Sequence, residues 1–117
     1  MGSYTSVGQA EQEFEDALNE IKNDKEESYQ NVFAKAICLC DFSHCLNYYT
    51  INKISQKYPN NLKKLILKSI DSLTQQTDPK IIQTHISLLS RIIPNLALTI
   101  TNIDDYNWLF VGENSSI

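Results

Sequence analysis

Glycine and proline are scarce in this chain, three of each in 117 residues. A turn-rich β-sandwich draws heavily on both, so their shortage argues against that architecture and for helices. No run of about 20 apolar residues occurs, so no helical membrane span is expected. An apolar stretch near Met1 is also missing, and with it the expectation of a secretory signal. The three cysteines, Cys38, Cys40 and Cys45, are therefore expected to stay reduced in a cytoplasmic setting. The sequon Asn114-Ser115-Ser116 carries no meaning without secretion. Signatures of common enzymes are lacking too: there is no Gly-rich phosphate loop, Gly-x-Ser-x-Gly elbow or His-Glu-x-x-His. Neither catalysis nor a cofactor is expected.

Apolar residues make up 42% of the chain, which suits one domain with a modest core. The net charge of −4 names no partner, but its distribution is uneven. Glu11, Glu13, Glu15, Asp16, Glu20, Asp24, Glu26 and Glu27 crowd the first quarter, against Lys22 and Lys25. Between Asp41 and Asp71 no acid appears, while Lys53, Lys57, Lys63, Lys64 and Lys68 do. Two solvated helix faces of opposite sign explain this simply. A basic surface for anionic lipid is the sharper alternative. Arginine is absent from that stretch, so nucleic acid is not an expected partner.

Periodicity divides the chain into about five helices. Residues 1–8 are expected to be disordered. Phe14, Leu18 and Ile21 recur at four and three, a narrow stripe on a helix from about Ala10 to Lys25 whose acids face water. Tyr29, Val32, Phe33, Ala36, Ile37 and Cys40 mark a second helix over about 27–40, with Ser28 as a candidate cap. Asp41-Phe42-Ser43 reads as a break. Ser43 is a candidate cap for a helix carrying Leu46, Tyr49, Ile51 and Ile54, with a short β-prone strand at Tyr48–Ile51 as the alternative. Pro59 marks a boundary at Tyr58. Asn60 or Asn61 is a candidate cap for a helix to about Gln75 that turns Leu62, Leu65, Ile66, Ile70 (with Ser69) and Leu73 inward and Lys63, Lys64 and Lys68 outward. Asp78-Pro79 is a helix start, a carboxylate cap followed by proline at the first helical position. The following helix carries Ile81, Ile82, Ile86, Leu88, Leu89, Ile92 and Ile93, a broad arc that predicts the most buried helix. Pro94 is expected to end or kink it, with the apolar Leu96–Ile100 as a continuation of the helix beyond a kink. Asp104 or Asp105 is a candidate cap for a last turn bearing Trp108, Leu109 and Phe110, and residues 111–117 are expected to form a flexible tail. The predicted fold is all-α, a helical bundle or α-solenoid-like array, with a helical domain over residues 9–110.

Few side chains group as chemistry requires. Cys38, Cys40, His44 and Cys45 fall close together, but Cys38 and Cys40 on one helix point about 200° apart, so buried thiols and a surface histidine are expected rather than zinc. His85 sits among isoleucines and leucines and reads as a core or boundary residue. Asp104-Asp105 reads as capping rather than as a carboxylate pair for acid–base work. Met1-Gly2-Ser3-Tyr4-Thr5-Ser6 fits the N-myristoylation pattern at Gly2, although Met-Gly-Ser is equally a common start of recombinant chains. An acyl chain alone anchors marginally, and the lysines at 53–68 are candidates for the second signal. The end Ser115-Ser116-Ile117 is too short a match to a PDZ-type ligand to set an expectation.

An ordered set of landmarks runs through the second half. It comprises Tyr58-Pro59-Asn60-Asn61-Leu62-Lys63-Lys64-Leu65, Lys68-Ser69-Ile70-Asp71, Leu88-Leu89-Ser90-Arg91-Ile92-Ile93-Pro94 and Asp105-Tyr106-Asn107-Trp108-Leu109-Phe110. In order and spacing these resemble the N-terminal region of the high-temperature-induced dauer-formation (Hid-1) family, distantly related to dymeclin. Asn31-Val32-Phe33-Ala34 and the Met-Gly-Ser start resemble that family too. The likeness covers roughly residues 31–110 and is weakest over 37–49. It implies a non-enzymatic helical scaffold that is peripheral on Golgi membranes, acylated at Gly2, and active in protein sorting and secretory-vesicle formation through protein partners. Family members are several times longer, so a fragment, a truncated product or a divergent relative is expected. Val7 and Gly8 stand where the family has a basic residue behind the acylation site. On a cut helical array, Trp108, Leu109 and Phe110 would cover the core or a surface meant for further helices. The alternative reading is a helical-repeat interaction module unrelated to Golgi traffic.

Overall fold

The structure is a computed structural model that describes residues 7–21, 24–40 and 45–110. Gly2, Ser43, His44 and the segment 111–117 lie outside the described residues, as does most of the stretch expected to be a disordered N-terminus. The fold is all-α: α1 (Val7–Glu20), α2 (Glu26–Cys40), α3 (Tyr48–Lys57), α4 (Pro59–Gln75), α5 (Pro79–Ala97), a 3-10 turn (Ile103–Tyr106) and the short α6 (Asn107–Phe110). The described residues contain no strand, so the β-prone Tyr48–Ile51 segment is helical. Its side chains reach buried partners only from a helix: Ile51 and Ile54 are both inward.

The order of packing is simple. α1 and α2 form an antiparallel hairpin, and α5 lies against α2, α3 and α4. α4 also lies against three helices, α1, α3 and α5, and about half of the α5 positions are exposed, so α5 is not the most buried helix that its broad apolar arc predicts. Each helix inserts one stripe: Phe14, Leu18 and Ile21 from the first segment, Val32, Ala36 and Leu39 from α2, Ile51 and Ile54 from α3, Leu65 and Ile66 from α4, and Leu88, Ile92 and Leu96 from α5. The arcs of α2 and α5 are turned from expectation. Leu39 is buried where Ile37 was expected, and Ile86 is 53% exposed. Both helices display more apolar positions than their neighbours can cover, and the neighbours select which are used.

Several helix ends differ from their sequence reading. α1 starts at Val7, so Val7 and Gly8 are helical, and it stops at Glu20. Ser28 lies within the first turn of α2, not at its cap. Asn47 caps α3, its Oδ1 accepting the Thr50 N–H at 3.1 Å. Pro59 opens α4 at its first turn, and the Tyr58 side chain makes no capping bond. Asn60 and Asn61 are therefore inside the helix. Asn61 is put to another use: its Nδ2 donates to the Leu18 carbonyl at 3.0 Å, closing the open end of α1. Asp78 caps α5 as expected, accepting the Lys80 N–H at 3.0 Å. Pro94 does not end α5, which continues to Ala97. The proline faces solvent, where the carbonyl it leaves without a donor can meet water. Asn102, not Asp104 or Asp105, caps the 3-10 turn.

The α2–α3 connection ends on Leu46 at φ 55°, a left-handed conformation uncommon for leucine. Its side chain is fully buried, and its carbonyl accepts the Asn95 Nδ2 at 3.0 Å. Packing and this bond together hold the backbone there. Replacing Ile92, which is fully buried, by alanine is expected to cost about 2–5 kcal/mol through lost transfer energy and a residual cavity. Ile86→Ala should change stability by no more than about 0.5 kcal/mol. Urea denaturation of the two variants beside the parent measures both.

Candidate functional site

The lysines of α3 and α4 are the residues with most claim to a site, and they turn toward the acids of the first hairpin. Lys53 and Lys57 are one turn apart on α3, so both reach a single carboxylate. Lys53 Nζ lies 3.2 Å from Glu15 Oε1 and Lys57 Nζ 3.0 Å from Glu15 Oε2. On α4, Lys64 pairs with Asp24 at 3.3 Å and Lys68 with Glu26 at 2.9 Å. Lys63 lies over the Trp108 ring, 5.7 Å from its centre. The two charged stretches of the sequence thus meet along one seam instead of facing water separately. Thr50 adds to it by donating its hydroxyl to Glu11, and Lys35 ties α2 to Glu13 of α1 at 3.0 Å.

Glu15 is the member of this seam that the sequence did not distinguish from its neighbours. It is 5% exposed although it lies beside the apolar stripe of α1. Burial pushes its pKa up, but hydrogen bonds and charge from Lys57 and Lys53 outweigh that and hold the carboxyl below its usual range. Asp24 sits between the helices at φ 55°. It accepts the Tyr29 hydroxyl at 2.9 Å, and with Lys64 this bond holds its carboxyl low. Tyr29 is in turn pushed up to about 12 by burial and by the bond to Asp24. It therefore remains a donor at neutral pH.

Trp108 and Leu109 pack, half-buried, against the edge of the core. The indole Nε1 donates to the Asp105 carbonyl at 3.2 Å, and Tyr106 stands 6.1 Å from the Trp108 ring. The side chain of Phe110 is outside the described residues. A groove of about 370 Å³ opens beside this pair, between Lys63, Trp108 and the first turn of α4 at Pro59. A second, of about 480 Å³, runs between α2 and α5 past Ile37, Cys40, Thr84, Ser87 and Arg91. Arg91 spans it, its Nη2 donating to the Cys40 carbonyl at 2.6 Å and so closing the end of α2.

The cysteines occupy different environments. Cys38 is exposed, Cys40 is half-buried and Cys45 is buried. Burial, with a smaller push from Glu11, raises the Cys45 thiol and makes it a poor nucleophile. Among the described residues no three potential metal ligands converge. His85 is buried at 6% exposure and its Nδ1 lies 2.8 Å from Ser69 Oγ. Ser69 is buried, as its inward position beside Ile70 predicts, but its bridge from α4 to His85 of α5 was not legible in the sequence. The same holds for Arg91, Asn61 and Asn95, each reaching a backbone carbonyl distant in the chain. Asp104 and Asp105 are exposed. No helix among the described residues is long and apolar enough to cross a membrane.

Comparison with family profiles, with curated proteins and with solved structures gives no match to this chain.

The seam makes stability depend on acid. Glu15 titrates lower folded than unfolded, so its contribution is complete above about 4.5 and fades as pH falls through the lowered folded value. Glu15→Gln should cost about 1 kcal/mol at pH 7, since the two lysines approach from solvent and are screened. It should also flatten the acid limb of a stability profile taken by denaturant titration between pH 6 and 3.

Proposed function

We propose that this chain is a non-enzymatic helical scaffold or adaptor module. It resembles the N-terminal region of Hid-1 family proteins and acts by presenting helix faces to protein partners in Golgi-associated sorting. The observation that carries the scaffold reading is the distribution of side chains. Polar groups join helices to one another, while large apolar ones remain outside: Ile86 at 53%, Leu98 at 70% and Ile103 at 61% exposure. Ile86 is on α5 and the other two follow that helix in the chain. Apolar side chains on the outside of a helical array are what a further helix or a partner would cover.

The membrane part of the reading rests on the resemblance and on Gly2. Lys53, Lys57, Lys64 and Lys68 are already paired with carboxylates, so anionic lipid must compete with these acids. An acyl chain at Gly2 then has to supply most of the affinity, and one chain gives reversible binding. This internal pairing favours a second reading, a helical-repeat protein-interaction module unrelated to Golgi traffic.

Two measurements separate the readings. Chain acylated at Gly2 should float with anionic vesicles while Gly2→Ala remains behind; equal flotation defeats the lipid anchor. Ile86→Asp combined with Leu98→Asp should leave the thermal midpoint nearly unchanged and abolish partner cross-links formed by the parent chain in cells. Retention of every cross-link defeats the exposed face as the binding surface.

A further inference from the structure

His85 stands where three helices meet. Ser69 of α4 is bonded to its Nδ1 at 2.8 Å. From α2 the Phe33 ring meets it edge to face, with ring centres 4.8 Å apart and planes at 89°. On its own helix the neighbouring inward positions are Leu88 and Leu89, both buried. Among the described residues Ser69 is its one polar partner. A hydroxyl satisfies an imidazole nitrogen without offsetting a positive charge, as a carboxylate would.

The charged groups on the three helices are occupied elsewhere or displayed to solvent. On α2, Glu26 is paired with Lys68, Lys35 with Glu13, and Glu27 is exposed. On α4, Lys63 lies over Trp108, Lys64 is paired with Asp24, and Asp71 accepts from Gln75. On α5, Lys80 is exposed and Arg91 bonds the Cys40 carbonyl. No carboxylate of these helices forms an ion pair or hydrogen bond with His85. Burial alone lowers its pKa from the usual 6.5.

The ring is not sealed from protons. No fully buried side-chain nitrogen or oxygen among the described residues lacks a partner, so Nε2, which has none, touches solvent. In the tautomer whose Nδ1–H donates to Ser69, the Nε2 lone pair takes a proton with no rearrangement of that bond. The imidazolium formed then lies against Phe33 and the leucines. Neither the Phe33 ring nor the leucines supply a counter-charge for its lost hydration.

We propose that His85 makes the joint of α2, α4 and α5 acid-sensitive: an imidazolium at this position favours parting α5 from α4 and loosens the module. The sign follows from linkage. A histidine whose folded pKa is depressed contributes fully above 6.5, and the contribution is lost as pH falls below that value, because the unfolded chain then binds more protons. The joint is independent of what the exposed face of α5 binds.

The test uses the full chain. His85 and His44 are the two histidines, so an NMR titration of ring protons reads His85 directly. It should titrate below the ordinary histidine range. Between pH 7 and 5 the unfolding equilibrium should shift toward the unfolded chain, by at most about tenfold per pH unit for one proton. His85→Gln keeps a polar side chain without a titrating nitrogen and should remove this slope. Amides of α4 and α5 around the joint should lose exchange protection more than those of α1 at matched intrinsic rates. An unchanged slope in His85→Gln, equal loss of protection in α1, or a His85 titration at or above 6.5 overturns the proposal. If His85→Gln does not fold, the titration and exchange of the parent chain decide it.

Discussion

No helix of this chain can cover its own apolar stripe, and short helices are marginal in water without tertiary burial. Everything else in the structure depends on that constraint. α5 resolves it for three neighbours at once, because Leu88, Ile92 and Leu96 are all buried while the helix lies against α2, α3 and α4. α1 completes the core against α2 and α4, through Phe14 and Leu18. The loops that join these helices follow the packing. Leu46 adopts a left-handed backbone because its side chain is wanted in the core.

Polar joints refine what the apolar core assembles. Asn61, Arg91 and Asn95 each donate to a carbonyl far away in sequence, and two of those carbonyls belong to helix ends. Such bonds fix direction and spacing rather than adding much net stability. The lysine–carboxylate seam has the same character. Glu15 shares two lysines, and Asp24 is held by both Tyr29 and Lys64. The charges that appear in the sequence as two separate faces thereby become an internal fastening of the first hairpin to α3 and α4. A membrane or an acidic partner meets this surface only in competition with the chain's own acids.

Parts of this were legible in the sequence. The spacing of Phe14, Leu18 and Ile21 identified a buried stripe, and Asp78-Pro79 marked the start of α5 where it lies. Other readings failed for local reasons. Asn60 and Asn61 have the chemistry of caps, but Pro59 already supplies a helical first turn, and Asn61 serves a different helix. Of the two readings of Pro94, a stop or a kink with the helix continuing beyond it, the stop does not occur, because on a solvent-facing position α5 tolerates the proline. Ser69 and His85 gave no joint signal, since a pair separated by 16 residues becomes visible only when α4 and α5 are placed side by side.

The sequence by itself determined the class of structure, the helix count within the core and the apolar stripe of the first segment. These follow from local periodicity and from residues that start or break helices, which act over one or two turns. Only the tertiary structure decided which apolar residues on α2 and α5 are covered, that Glu15 is buried, where Lys35, Lys53, Lys57, Lys64 and Lys68 find their carboxylates, and that a histidine closes the joint of three helices. Those outcomes depend on which helices become neighbours and at what rotation. Side chains brought together by burial leave no periodic mark on the chain that carries them.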